Sequence, residues 1–249
     1  MAEENRPDPF EFLRIFDTIF LIDDSTSIAP YWDEVMGLIR AIVPLCVERD
    51  TNGVDIYFAN HTRSGSHWHP GDVRRKGYLH IGIWSAHPEM HDNVEGIFNG
   101  VKPTGKHGIT DRLIHILKDY VSRFKKDPSI KPINIIAVTA RPFSDRIGQV
   151  SEMARRLDRI QAPSHQVGIQ FFQTGDDEEV REQMRFMDND VHEKYGHRDI
   201  MDTATWTDGP GKLSAEGVLK VVGGAVSRSL DGTKLTELRM PDIPAFDEA

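Results

Sequence analysis

The sequence predicts an α/β domain with a mainly parallel sheet of about six strands, doubly wound and flanked by helices. Two observations carry this. Short apolar runs rich in β-branched and aromatic residues alternate with amphipathic windows of helical spacing, the pattern of a sheet covered on both faces. The chain, at 249 residues, is long enough to bury one large core of this type.

The strands are expected at 15–22, 54–59, 78–84, 133–139, 167–174 and 200–206. The first of the helices between them carries Val35, Ile39, Ile42 and Cys46 on one stripe, with Pro44 expected to kink or shorten its last turns. A helix over 110–125 aligns Leu113, Leu117, Tyr120 and Phe124. Another, near 146–161, aligns Val150, Ala154 and Leu157 and stops before Pro163. Val180, Met184, Met187, Val191 and Tyr195 define one more helix, and Val218, Val222, Ala225 and Val226 the last. Gly223-Gly224 inside that last pattern reads as close helix packing rather than phosphate binding.

Residues 1–13 and 232–249 are rich in Pro and acid and are expected to be a flexible start and a loose tail around one domain, 14–231. The polar stretch 61–76 reads as an exposed loop between two strands.

Composition narrows function. A net charge of −9 with scattered basic residues argues against broad nucleic-acid or anionic-membrane binding. No apolar run reaches the roughly 18 residues of a membrane span. The polar, acidic start is unlike a signal peptide, and a single cysteine fits a reducing compartment, so the expected location is cytoplasmic. At helical spacing with its apolar neighbours, Cys46 reads as core.

The stretch 20–28, FLIDDSTSI, ends an apolar strand in two carboxylates and three hydroxyls. Asp23, Ser25 and Ser27 stand at i, i+2 and i+4 at the strand end where α/β sheets bind ligands, and a tight loop can turn three oxygens to one side as a shell for Mg²⁺. The same residues can simply cap the next helix, with Pro30 in its first turn.

This stretch resembles the D-x-S-x-S signature of the metal-ion-dependent adhesion site of von Willebrand factor A (vWA) domains, a Rossmann-like fold. VDIYFANH, IFNGVKPTGKHGITDRLIHILKDY, IQFFQTGDDEEVREQMRFMDNDV, DIMDTATW and LSAEGVLKVVGGAVSRSLD are similar to segments of an intracellular, largely fungal vWA group. The resemblance implies Mg²⁺ held by Asp23, Ser25, Ser27 and a loop threonine. Thr110 is the first choice, with Thr104 and His107 as alternatives for that position. It also implies an aspartate after the fourth long strand, where this chain has Thr139-Ala140-Arg141, so a methyl group replaces a carboxylate. Asp24, Asp111 or Asp145 would have to compensate. The implied function is non-enzymatic recognition of a protein partner through an acidic side chain, with Arg141 or Lys106 meeting that carboxylate directly if no ion is bound.

Two other constellations compete. A Mg²⁺-dependent phosphatase would use Asp23 as nucleophile, Thr139, and Gly175-Asp176-Asp177, but needs an acid two residues past Asp23, where Ser25 stands. Acids at a helix start, favoured by its dipole, explain Asp176-Asp177 more simply. The histidines at 61, 67, 69, 80, 87, 91 and 107 suggest a transition-metal site but lack companion Cys pairs or a His-Glu-x-x-His helix. Trp68 in that loop is a candidate partner contact.

Overall fold

The computed structural model describes residues 8, 10–63, 73–82, 94–141, 146–205 and 215–225. Among them six strands form one sheet: β1 (Asp17–Ile22), β2 (Val54–Phe58), β3 (Tyr78–Ile81), β4 (Ile133–Thr139), β5 (Val167–Gln173) and β6 (Met201–Thr205). The spatial order is β3-β2-β1-β4-β5-β6, parallel throughout except for antiparallel β3 at one edge. This is a Rossmann-like, doubly wound α/β fold.

Alternation along the strands builds two cores. Ile19 and Leu21 of β1 face one, with Ile135 and Ala137 of β4 and Ile169 and Phe171 of β5. It is covered by α3 (Ile109–Lys126), α4 (Ile147–Arg159), α5 (Glu178–Asn189) and α6 (Val191–Tyr195). Phe20 and Ile22 face the other, with Ile136, Val138 and Phe172, under α1 (Trp32–Val47), α2 (Val94–Asn99) and α7 (Ala215–Gly223). Every residue of β4 and β5 is buried, because these central strands carry apolar side chains to both sides.

All six expected strands are present; the differences lie at their edges and in the helices. Ile15 does not start β1: it ends a 3₁₀ turn, Glu11–Ile15, and is 55% exposed. That turn lets Phe10 and Leu13 bury completely, and Asp8 pairs with Arg49 at 2.7 Å, so part of the expected N-terminal segment packs against the domain. Helix α1 carries Pro44 inside it and runs three residues further, to Val47. The single helix expected around 180–195 is two, because the chain breaks at Asp190 between α5 and α6, while Val180, Met184, Met187 and Val191 still share one core. Within the expected loop, Val73–Lys76 forms a 3₁₀ turn whose Val73 packs into the core. The domain end at 231, the tail, and strand ends Trp84 and Trp206 lie outside the described residues.

Cys46 is fully buried, and burial pushes its thiol up to about 12, so it is a core side chain and no nucleophile at neutral pH.

Candidate functional site at the strand-end rim

The strands β1 and β4 are neighbours, yet the chain leaves β1 for β2 on one side and β4 for β5 on the other. Their C-terminal ends therefore open at the topological switch point, where the loops diverge and leave a crevice. Asp23 follows β1 there, and Thr139, Ala140 and Arg141 end β4.

Asp23 is fully buried, and both its oxygens are engaged. Oδ1 accepts the Ser25 N–H at 2.9 Å, while Oδ2 accepts the Thr139 hydroxyl at 3.1 Å and lies 3.0 Å from His107 Nδ1. Burial alone would raise its pKa. The contacts with His107 and Ser25 outweigh that and hold Asp23 below the usual carboxylate value. Thr139 Oγ1 also accepts the Arg141 N–H at 3.1 Å, tying the end of β4 to the end of β1.

Asp24 turns the other way. It accepts the Asn60 and His61 N–H groups, each at 2.7 Å, and its own carbonyl accepts Thr104 N–H at 2.7 Å. Burial is the larger influence on this carboxyl and raises it, only partly offset by those N–H groups. Asn60 then reaches across to the Lys106 carbonyl at 3.0 Å, and Thr26 donates to the Gly105 carbonyl through both N–H and hydroxyl. The three loops after β1, after β2 and before α3 thus form one bonded rim.

Ser25 and Ser27 hydroxyls lie 2.7 Å apart, so the i, i+2 spacing does bring them together. The simple capping role is not what they do. Ser25 begins a 3₁₀ turn, Thr26–Tyr31, without a side-chain cap bond, and Pro30 sits inside that turn instead of opening α1. Of the three candidates for the loop position, His107 contacts Asp23. Thr104 is exposed and joins the rim through its backbone. Thr110 lies in the first turn of α3, buried, its hydroxyl without a hydrogen-bond partner among the described residues.

The donor set can be weighed against Mg²⁺ directly. An orphaned Thr110 hydroxyl and a paired Ser25–Ser27 would suit a hard cation, but the arrangement as a whole does not fit one. The one carboxylate at the centre already accepts three donors, and Ala140 brings a methyl where charge is needed. Asp24 is spent on backbone N–H groups, Asp111 pairs with Arg146, and Asp145 lies outside the described residues. An ion here would have to displace His107 from Asp23.

The described residues of the competing constellations have partners of their own. Asp177 is the N-cap of α5, accepting from Glu179 and Val180 N–H at 3.0 and 3.4 Å. His61 stacks on Tyr78 and bonds its hydroxyl at 3.0 Å, and His80 Nδ1 lies 3.0 Å from the Asn52 carbonyl. Among the described residues, no three His, Cys, Asp or Glu side chains gather in a metal-holding group. His67, Trp68, His69, His87 and His91 lie outside the described residues.

Sequence reasoning missed Asn60 as the residue that ties the rim together, and Arg112. Arg112 is 7% exposed, donates to the Ala59 carbonyl at 3.3 Å, and sits where Asp24 stabilises its charge against burial. Neither forms a motif with its sequence neighbours. No protein-family model and no curated protein matches this chain.

Proposed function

We propose that this chain is a non-enzymatic, cytoplasmic protein-binding domain of vWA type that takes an acidic side chain of a partner at the β1–β4 rim. The observation that carries the reading is the engaged state of Asp23. With both oxygens accepting hydrogen bonds in a fully buried position, it is poorly placed to attack a phosphate ester, and it acts as a brace that holds the loops. Those loops carry the exposed cations Lys106 and Arg141. A partner carboxylate would meet them beside the Ser25–Ser27 hydroxyls, in place of an adhesion-site ion. The reading does not require Mg²⁺.

The test is fluorescence anisotropy with labelled peptides carrying a central Asp or Glu, against Asn and Gln isosteres, in Mg²⁺ and in chelator. Acidic peptides should bind about tenfold or more tightly than the isosteres, corresponding to one charge-assisted contact. The preference should survive chelation and vanish in the Lys106→Glu, Arg141→Glu double variant. Affinity that needs Mg²⁺ and is lost in the Ser25→Ala, Ser27→Ala variant would return an ion to the site. Turnover of a phosphate ester that disappears in Asp23→Asn would make the protein a hydrolase.

A further inference from the structure

The outer helices of this acidic chain pair their arginines with carboxylates. Arg40 meets Glu95, Arg123 meets Asp119, Arg146 meets Asp111, and Arg155, Arg156 and Arg159 all meet Glu152. One group of cations next to the rim is different. The side chains of Lys76 in the 3₁₀ turn and of His115 and Lys118 in α3 have no ion pair or hydrogen bond among the described residues. We propose that these three are a second contact for the partner taken at the rim, and that this partner presents an acidic segment, a run of carboxylates rather than a single one.

Asp111, His115 and Lys118 stand at i, i+4 and i+7 on α3, all exposed on one face, and the Val73–Lys76 turn packs against the same helix. Partial burial lowers the His115 imidazole from its ordinary value, and the charges of Lys76, Lys118 and Arg112 lower it further, with Asp111 opposing. Asp111 is itself taken by Arg146. Arg112 adds to the positive field from below. Its buried guanidinium donates to the Ala59 carbonyl at 3.3 Å, while both oxygens of Asp24 nearby are held by the Asn60 and His61 N–H groups. Like charges three residues apart on a helix repel, and Arg112, His115 and Lys118 have that spacing. Carboxylates from outside relieve the repulsion.

The group is continuous with the rim. Arg112 bonds Ala59, whose neighbour Asn60 ties the loops together, and α3 starts at Ile109, just past His107. At 1.5 Å per residue, His115 and Lys118 lie about 9 and about 14 Å along the helix from that start. An extended peptide advances about 3.3 Å per residue, so carboxylates about three and about four residues from the rim anchor come level with them. The occupant that fits is a short acidic peptide segment. A long polyanion would meet the chain's net charge of −9 beyond this patch.

The second contact rests on the rim reading, and the variants separate the two. Fluorescence anisotropy compares a peptide carrying one Asp with peptides that add Glu about three, four and five places away on either side. The added acids should tighten binding about tenfold at about 50 mM salt and much less at about 500 mM. In Lys76→Glu, Lys118→Glu that advantage should vanish while the single-Asp peptide binds as before. Neither side chain is buried, so the fold is not at stake. The charge-matched control is Lys125→Glu, Lys126→Glu at the far end of α3, which should keep the advantage. Multi-acid binding that survives Lys106→Glu, Arg141→Glu but is lost in Lys76→Glu, Lys118→Glu would sink the rim reading alone and retain the acid-binding patch. No gain from the added Glu residues overturns the proposal. So does a gain unchanged in Lys76→Glu, Lys118→Glu, an equal loss in the charge-matched control, or equally tight binding of a single-stranded oligonucleotide of the same charge.

Discussion

Asp23 and Asp24 are adjacent in the chain and carry the same side chain, yet the fold gives them opposite tasks. Asp23 points inward to His107 and Thr139, and its contacts outweigh its burial; Asp24 points to the end of β2, and burial outweighs its contacts. Asp55 belongs with Asp24: burial raises its carboxyl above the ordinary value of 3.8. A folded pKa raised in this way contributes stability that is fully present below the unfolded pKa and lost as pH rises through the folded one. Ionised Asp55 is therefore a cost at neutral pH. Asp55→Asn, which retains the acceptor for His80 N–H, should be more stable than wild type in urea unfolding at about pH 7, and the difference should close at about pH 3.5. At this scale the sequence was informative where spacing is local. Ser25 and Ser27 meet because they are two residues apart; His107 meets Asp23 across 84 residues of chain, and counting along the loop could nominate it but not choose it over Thr104 or Thr110.

Elements were read well where their periodicity is long. Helix α3 covers 18 residues with Leu113, Leu117, Tyr120 and Phe124 all buried, and its expected bounds are right to within one residue. Helix α2 was not foreseen, since six residues hold less than two turns of pattern. Its stability comes from elsewhere: Phe98 packs on Trp32 of α1 at 5.1 Å and on Phe58 of β2 at 5.5 Å. The break between α5 and α6 was hidden for the converse reason, because both helices bury one continuous apolar set and the stripe alone does not reveal the interruption. The capping of α5 is a local device and can be tested as one. Asp177→Ala removes the acceptor for two N–H groups and should cost about 1 kcal/mol in chemical denaturation.

Across the whole molecule, the last helix joins the three strands on one side of the sheet. Asn134 of β4 donates to the Val222 carbonyl at 2.6 Å, and Gln170 of β5 accepts the Ala225 N–H at 3.1 Å. Gly224 fits between them and β6: a Cβ there would fall 1.8 Å from Asp202 Oδ2 and 2.2 Å from Gln170 Oε1. The expectation of close packing is met at Gly224, with polar side chains as the surface it packs on. Gly224→Ala should destabilise the protein by about 3 kcal/mol or detach α7, visible as a lowered melting temperature, since neither buried group can move away freely.

By itself the sequence determined the number, type and order of the strands, the two-sided burial of the sheet, and the rim to which FLIDDSTSI is delivered. These follow from composition and period, which act over a few residues at a time. The tertiary structure decided what the rim's groups do. Whether Asp23 is free to serve a ligand or occupied as a brace depends on residues 84 and 116 positions away, brought to it by parallel crossovers.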